Sequence, residues 1–460
     1  MTGRLIIASN RTAAPGEARA GGLAVALADA LSERGGGVWF GWSGDIVERE
    51  PRGAHVFTED GVEFALADLT QAEYDGYYLG YANRALWPVF HYRIDLAQFE
   101  EADFAAYEAV NRRFGRLLAQ FTRPEDVVWI HDYHFLLLGQ EMRASGWSGP
   151  IGFFLHIPFP APEVFSSLPQ HQRLARAMAA FDLLGFQTDR DTANFRRYLI
   201  DTHGGELLED GRIAVFDRVL TAKTFSIGID PDDFAALALG DEARAAAERV
   251  GGIIDNRALV LGVDRMDYSK GLPQRMEAFG RVLDDNPDLR GRSSFLQIAP
   301  PSREAVDAYQ ALRVELDRLT GRINADYADL DWVPIRYLAR GYPRETLAGL
   351  YRLARVALVT PLHDGMNLVA KEFVAAQDPE DPGVLVLSEF AGAAEQMPTS
   401  LLVNPHDIAS LAEAIHRALL MPLEERRERW QAMDASIRET TIAWWRRAFL
   451  EALDTTRPDA

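Results

Sequence analysis

A chain of 460 residues is too long for one ordinary hydrophobic core and long enough for two domains. Its 48% apolar and 25% charged residues have the balance of a globular protein, and a formal charge of −20 argues against a nucleic-acid surface, which needs a basic stripe. The absence of cysteine excludes disulfides, thiolate catalysis and Cys-ligated zinc and fits a cytoplasmic protein. There is no apolar run of about 18 residues to span a membrane, and with strand-like Leu5–Ala8 so early in the chain no signal peptide is expected.

Taken in order, apolar runs read as strands at 5–8, 38–40, 127–130, 151–156, 183–186 and 224–227. A second series follows at 258–263, 294–298, 333–337, 356–360 and 384–387. Helical patterns such as Leu23-Leu27-Leu31 and Phe135 to Met142 lie between them, so parallel sheets covered on both faces are expected. The pattern restarts once, after Ile229 to Asp233, where a charged, alanine-rich helix (Asp241 to Val250) and Gly251-Gly252 precede a fresh strand. The fold class is therefore α/β, with two Rossmann-like doubly wound domains facing across a cleft, 1–235 and 236–440. A terminal helix within 441–460, carrying Trp444, Trp445 and Phe449, is expected to pack back onto the N-terminal domain.

Open α/β sheets bind ligands beyond the carboxyl ends of their strands, so the residues just after each strand matter most. After the first strand come Asn10-Arg11 and a loop ending Gly21-Gly22. The glycines allow close backbone approach and Arg11 can hold a phosphate, but the segment also fits a plain strand–helix turn. It is not GxGxxG, which argues against a nicotinamide site. His131-Asp132-Tyr133-His134 ends another strand and offers no third ligand at metal spacing; His156, closing an apolar strand, reads more readily as a satisfied core histidine than as a ligand. Asp329-Leu330-Asp331 mimics a DxD metal motif but sits in a polar loop and reads as surface.

In the second half, Arg265 and Lys270 stand five residues apart ahead of a helix beginning near Leu272-Pro273, a pairing that suits a diphosphate or two solvated cations. Asp364, Leu368 and Glu372 recur every four residues and would share one helix face. The same helix start can bind an anion through its free N–H groups, or be an ordinary capped amphipathic helix. No nucleophile–base pair is evident.

Collectively these stretches resemble one family. They are Ser9-Asn10-Arg11, Gly21-Gly22-Leu23, Trp39 to Gly44, Leu86-Trp87-Pro88, Phe90 to Arg93, Trp129 to His134 and Ile151 to Pro160. Asp264 to Pro273, Gln297 to Pro300, Gly321 to Asn324 and Asp364 to Glu372 complete the set, which spans nearly the whole chain. The chain is similar to the trehalose-6-phosphate synthase family, retaining sugar-nucleotide glycosyltransferases of GT-B fold (glycosyltransferase family 20).

The resemblance implies glucosyl transfer from UDP- or GDP-glucose to glucose 6-phosphate, giving α,α-trehalose 6-phosphate. The acceptor, assigned to the N-terminal domain, would be bound by Arg11, Trp42, Tyr78, Trp87 and Asp132, with Arg303 of the C-terminal domain as a second phosphate ligand. The donor, assigned to the C-terminal domain, would be bound by Arg265, Lys270, Asp364, Asn367, Leu368, Val369 and Glu372, with Gly22 and His156 of the N-terminal domain. The catalytic groups would be Arg265, Lys270, His156 and Asp364. It further implies no metal and no cofactor, small-molecule substrates, no nucleic-acid or membrane partner, and a separate phosphatase for the product; a homo-oligomer is compatible. His363 departs from the family's usual arginine, and the stretch Tyr337 to Tyr342 also differs, leaving the nucleotide base open. The alternatives are another phosphorylated acceptor, such as glycerol 3-phosphate or a cyclitol phosphate, and a non-catalytic sugar-phosphate-sensing subunit.

Overall fold

A computed structural model describes residues 3–12, 22–49, 51, 53–255, 257–303 and 305–456. The chain divides into two compact units, Met1–Ser226 with Ala443–Ala460, and Ile227–Ile442.

The first unit carries β1 (Leu5–Arg11), β2 (Gly37–Val47), β3 (His55–Glu59), β4 (Val62–Thr70), β5 (Val127–His131), β6 (Ile151–Phe154), β7 (Leu183–Phe186), β8 (Glu206–Leu207), β9 (Ile213–Val215) and β10 (Arg218–Thr224). They form one sheet in the order β3-β4-β2-β1-β5-β6-β7-β10-β9-β8. Pairing is parallel from β4 through to β10; β3 and the β8–β9 pair are antiparallel additions at the edges. The central strands are apolar without alternation because helices cover both faces, as β5 with all its residues buried illustrates. The order reverses between β1 and β5, so the ends of these two strands diverge and open a crevice.

One of the covering elements is the terminal helix Ile442–Asp454. Phe449 stacks on Trp129 of β5 at 4.7 Å, Trp445 lies 5.0 Å from the same ring, and Arg446 pairs with Asp29 at 2.8 Å and with Glu33.

The second unit has β11 (Ala258–Val263), β12 (Ser293–Ile298), β13 (Ile335–Leu338), β14 (Val356–Val359), β15 (Val384–Ser388) and β16 (Leu401–Val403). The order is β13-β12-β11-β14-β15-β16 and every pairing is parallel. Its switch point lies between β11 and β14. Among the described residues no helix is long and apolar enough to cross a membrane.

Several expectations need correction. The strand expected at 224–227 is β10, ending at Thr224, and the one expected at 151–156 stops at Phe154. Gly251-Gly252 does not end a helix but lies inside Asp241–Ile254, which closes at Asp255 in the left-handed conformation. The units part at Ser226/Ile227 rather than at 235. The reason is that Asp230 caps the helix Pro231–Ala238, which packs on Arg344–Leu353 and Leu368–Ala376 of the second unit.

Candidate active site

In the first unit the residues around the β1/β5 switch point are held by short side-chain bonds. Trp39 Nε1 donates to Ser9 Oγ at 2.8 Å, Ser9 Oγ donates to the Arg11 carbonyl at 2.8 Å, and Tyr77 OH donates to Asn10 Oδ1 at 2.8 Å. These bonds fix the backbone that launches Arg11. Its guanidinium stands 5.1 Å from the centroid of the Trp42 ring, and a Cβ at Gly44 would come 2.2 Å from Arg11 Nη1. A side chain there would push the guanidinium aside, and the backbone at φ +98° favours glycine in any case.

Trp42 lies 5.6 Å from both Tyr74 and Tyr78, which stack on each other at 5.3 Å, and Tyr78 stacks on His134 at 5.8 Å and 10°. The tyrosines belong to Tyr74–Leu86, thirteen residues bonded i→i+5 as a π-helix, a rare form, and standing four apart they lie on adjacent turns of one face. Trp87 follows directly, buried 5.5 Å from Tyr133.

Asp132 takes φ +75° at the end of β5; its N–H donates to the Phe154 carbonyl at 2.8 Å and its Oδ1 accepts from the His156 N–H at 3.3 Å. His156 Nε2 sits 3.1 Å from His131 Nδ1, so Nδ1 of His156 is the ring nitrogen outside that contact. Burial pushes His156 down to about 3 and His131 well below the usual histidine range, so both rings are neutral at physiological pH. His156 can therefore hydrogen-bond but not supply positive charge. Arg11, Trp42, Tyr78, Trp87, Asp132 and His156 thus form one connected set.

The second unit's site is ionic. Arg275, wholly buried, pairs with Asp264 at 2.7 Å, donates Nε to Thr360 Oγ1 at 2.9 Å and Nη2 to the Lys270 carbonyl at 3.0 Å. One guanidinium thereby fixes the ends of β11 and β14 and the turn between β11 and its helix. Lys270 Nζ meets Asp364 Oδ2 at 2.5 Å, and Asn367 Nδ2 donates to Asp364 Oδ2 at 3.1 Å and to Asp264 Oδ1 at 3.3 Å. Asp267 caps the turn Tyr268–Lys270 and accepts from Tyr309 OH at 3.1 Å, with Arg303 at 3.7 Å and Arg265 at 4.0 Å. Arg265 remains half exposed. Arg303, grouped by resemblance with Arg11, stands here beside Arg265, its Nη1 donating to Tyr309 OH at 2.8 Å.

The shared helix face expected of Asp364, Leu368 and Glu372 is not formed. Asn367 takes φ +74° and the helix runs only from Leu368 to Ala376. Asp364 precedes it, bonded through its backbone to Phe390 and Gly392. The N–H groups of the first turn, at Leu368 and Val369, face no earlier helical carbonyl. Glu372 is partly accessible yet deep enough that burial pushes its carboxyl up to about 7, against the opposing pull of Arg344 and the Tyr351 hydroxyl. His363 stacks near Phe390 at 6.2 Å.

Gly22 opens the helix Gly22–Glu33, while Gly21 and the loop before it lie outside the described residues. His131 and His134 turn to different partners, and among the described residues no three His, Cys, Asp or Glu side chains converge. In the 329–331 segment Leu330 is fully exposed and Asp331 pairs with Arg257 at 2.9 Å. Residues absent from the sequence reading are Tyr74 in the first unit and Arg275 and Tyr309 in the second. Gly44, His134 and Asp264 lie inside the quoted stretches, but no role in the site was given to them.

Three comparisons bear on this geometry. The profile of glycosyltransferase family 20 matches residues 6–455. A trehalose-6-phosphate synthase of Sinorhizobium fredii is 47% identical over 454 residues, covering 98% of each chain. Among solved structures, a UDP-forming α,α-trehalose-phosphate synthase from Burkholderia xenovorans in complex with glucose-6-phosphate matches with a TM-score of 0.94 and 48% identity, over 98% of this chain and 100% of that one. A structure from E. coli bound with UDP-2-fluoro glucose matches with a TM-score of 0.94 and 41% identity, over 98% of each. The fold is GT-B in class, α/β with two doubly wound parallel-sheet domains, as the motifs implied. With the profile spanning nearly its full length and close relatives covering it end to end, this chain belongs to glycosyltransferase family 20 and is a glycosyltransferase.

Proposed function

We propose that the protein transfers glucose from UDP-glucose to glucose 6-phosphate with retention at the anomeric carbon, releasing UDP and α,α-trehalose 6-phosphate. The observation that carries this reading is the second unit's ionic site: Lys270, Asp364 and Asn367 locked together beside Arg265 at a switch point. Lys270 and Arg265 neutralise the departing diphosphate as the C1–O bond to it breaks. Lys270, already paired with Asp364, is preorganised for that charge, so little reorganisation is needed in the transition state.

In the first unit Arg11 and the Trp42–Tyr78 platform take the phosphorylated hexose, and Asp132 orients its hydroxyls. Arg303 adds a second phosphate ligand. Neutral His156, with Asp364, binds hydroxyls of the transferring glucose. The acceptor's hydroxyl proton passes to the departing phosphate oxygen as the new C1–O bond forms, which accounts for a site without a nucleophile–base pair. Glu372 accepts from the ribose hydroxyls, Gly22 and the Leu368–Val369 amides line the donor's phosphates, and no metal is required. The UDP-forming relative and the bound UDP-2-fluoro glucose favour uridine over guanosine as the base. Hydrolysis of the product falls to a separate phosphatase.

The test is nucleotide release from UDP-, GDP- and ADP-glucose with glucose 6-phosphate, glycerol 3-phosphate or a cyclitol phosphate, with and without a chelator. UDP-glucose with glucose 6-phosphate is expected to be fastest and unaffected by the chelator. Faster release with another pair would replace the assigned substrates.

A further inference from the structure

Two ionisable residues adjoin in the helix Leu368–Ala376, and the mechanism above uses only Glu372. Lys371 has no exposed surface, and its Nζ donates to the main-chain carbonyl of Ile227 at 2.7 Å. Burying an ammonium group for one neutral acceptor is costly, whereas methionine or leucine would fill the same space without that cost. What lysine adds is the tie to Ile227.

Ile227 is the first residue of the second unit. The residues after it are joined to the segment by which the chain leaves that unit. Ile442 N–H donates to the Ile229 carbonyl at 2.9 Å, and Gly228 lies so close that a Cβ would come 1.9 Å from the Thr440 carbonyl oxygen. Gln396 Nε2 anchors Thr440 Oγ1 at 2.9 Å.

From Asp230 the chain runs into the helix Pro231–Ala238, which reaches the surroundings of Glu372 by a second route. Asp233 pairs with Arg344 at 3.3 Å, and the Phe234 ring lies 5.4 Å from the Arg344 guanidinium and 6.0 Å from the Tyr351 ring. Arg344 and Tyr351 are the groups that act on the Glu372 carboxyl. The entering segment is thus fastened to the helix at Lys371 and to the partners of Glu372 at Asp233 and Phe234.

We propose that Lys371 is a positioning residue for the donor half of the reaction, holding residues 227–233 against the helix Leu368–Ala376 so that nucleotide-sugar occupancy is coupled to the segment through which the chain enters the second unit. This rests on the donor-site reading above, and the experiment separates the two. Amide hydrogen exchange of the full chain is followed with and without UDP, in the wild type and in Lys371→Met.

In the wild type UDP is expected to slow exchange both at 364–372 and at 227–233. In Lys371→Met the first response remains, the second is lost, and the donor KM rises about tenfold, the scale of one buried hydrogen bond, while the KM for glucose 6-phosphate stays within about twofold. An unchanged donor KM with both responses intact overturns the proposal. So does wild-type protein in which UDP protects 364–372 but not 227–233, a result that holds even if the variant fails to fold. If UDP protects neither segment, the donor-site reading itself falls and this inference falls with it.

Discussion

The two units solve the same topological problem with different chemistry. Each opens a crevice where its strand order reverses, between β1 and β5 in one and between β11 and β14 in the other. The first crevice is walled by stacked rings, Trp42, Tyr74, Tyr78 and His134, with Arg11 resting on the tryptophan. The second is held by buried and half-buried ion pairs, Arg275–Asp264 and Lys270–Asp364, with Arg265 and Arg303 converging on Asp267. The contrast fits the work assigned to each. An acceptor needs shape and orientation, which rigid rings supply at low entropic cost. A leaving diphosphate needs fixed charge, and in a chain of net charge −20 that charge must be local and braced.

The contrast can be broken at its strongest point first. Arg275→Met leaves Asp264 buried without a counter-charge, so chemical denaturation is expected to show a loss of about 3–5 kcal/mol. In the first unit Tyr77→Phe removes one neutral hydrogen bond to Asn10 and is expected to cost about 1 kcal/mol. Equal losses would mean that the ionic bracing carries no special weight.

Next in size are Lys270→Ala and Arg265→Ala. Each is expected to lower kcat about 100- to 1,000-fold in a UDP-release assay, with little change in the KM for glucose 6-phosphate. Trp42→Leu is expected to do the reverse, raising that KM about tenfold through lost stacking and leaving the donor KM unchanged.

The smallest effect is a pH dependence. Burial holds Glu372 near 7, so its carboxylate fraction grows from pH 6 to 8, and a carboxylate accepts ribose hydroxyls better than the neutral acid. The donor KM is therefore expected to fall by a few-fold across that range, and Glu372→Gln to flatten the profile. The stability contribution runs the other way. The fold favours the protonated form, so that contribution is present below 4.5, the ordinary value, and is lost as pH rises through about 7.

Much of this was legible in the sequence where burial dictates composition. β7 and β11 fall on the runs read as strands, and β5, β12, β14 and β15 lie within a residue or so, because strands covered on both faces must be apolar throughout. The β3–β4 hairpin was missed although Asp60-Gly61 is a strong hairpin signal; both residues take positive φ in a two-residue loop. Asp364 was misplaced on a helix because four-residue spacing says nothing about where a helix begins, and Asn367 in the left-handed region sets the start. Arg275 drew no reading from the sequence, since its partners Asp264 and Thr360 are distant in the chain. Tyr74 and Tyr78 stand four apart and can meet on any helix, but the π-helix that carries them has no sequence signature and was not foreseen.

The central claim is tested most directly by proton NMR of the product formed from UDP-glucose and glucose 6-phosphate. One UDP released per disaccharide phosphate is expected, with a newly transferred glucose whose anomeric proton shows the small coupling of an α linkage. A large β-type coupling, or UDP released without any disaccharide, would contradict it.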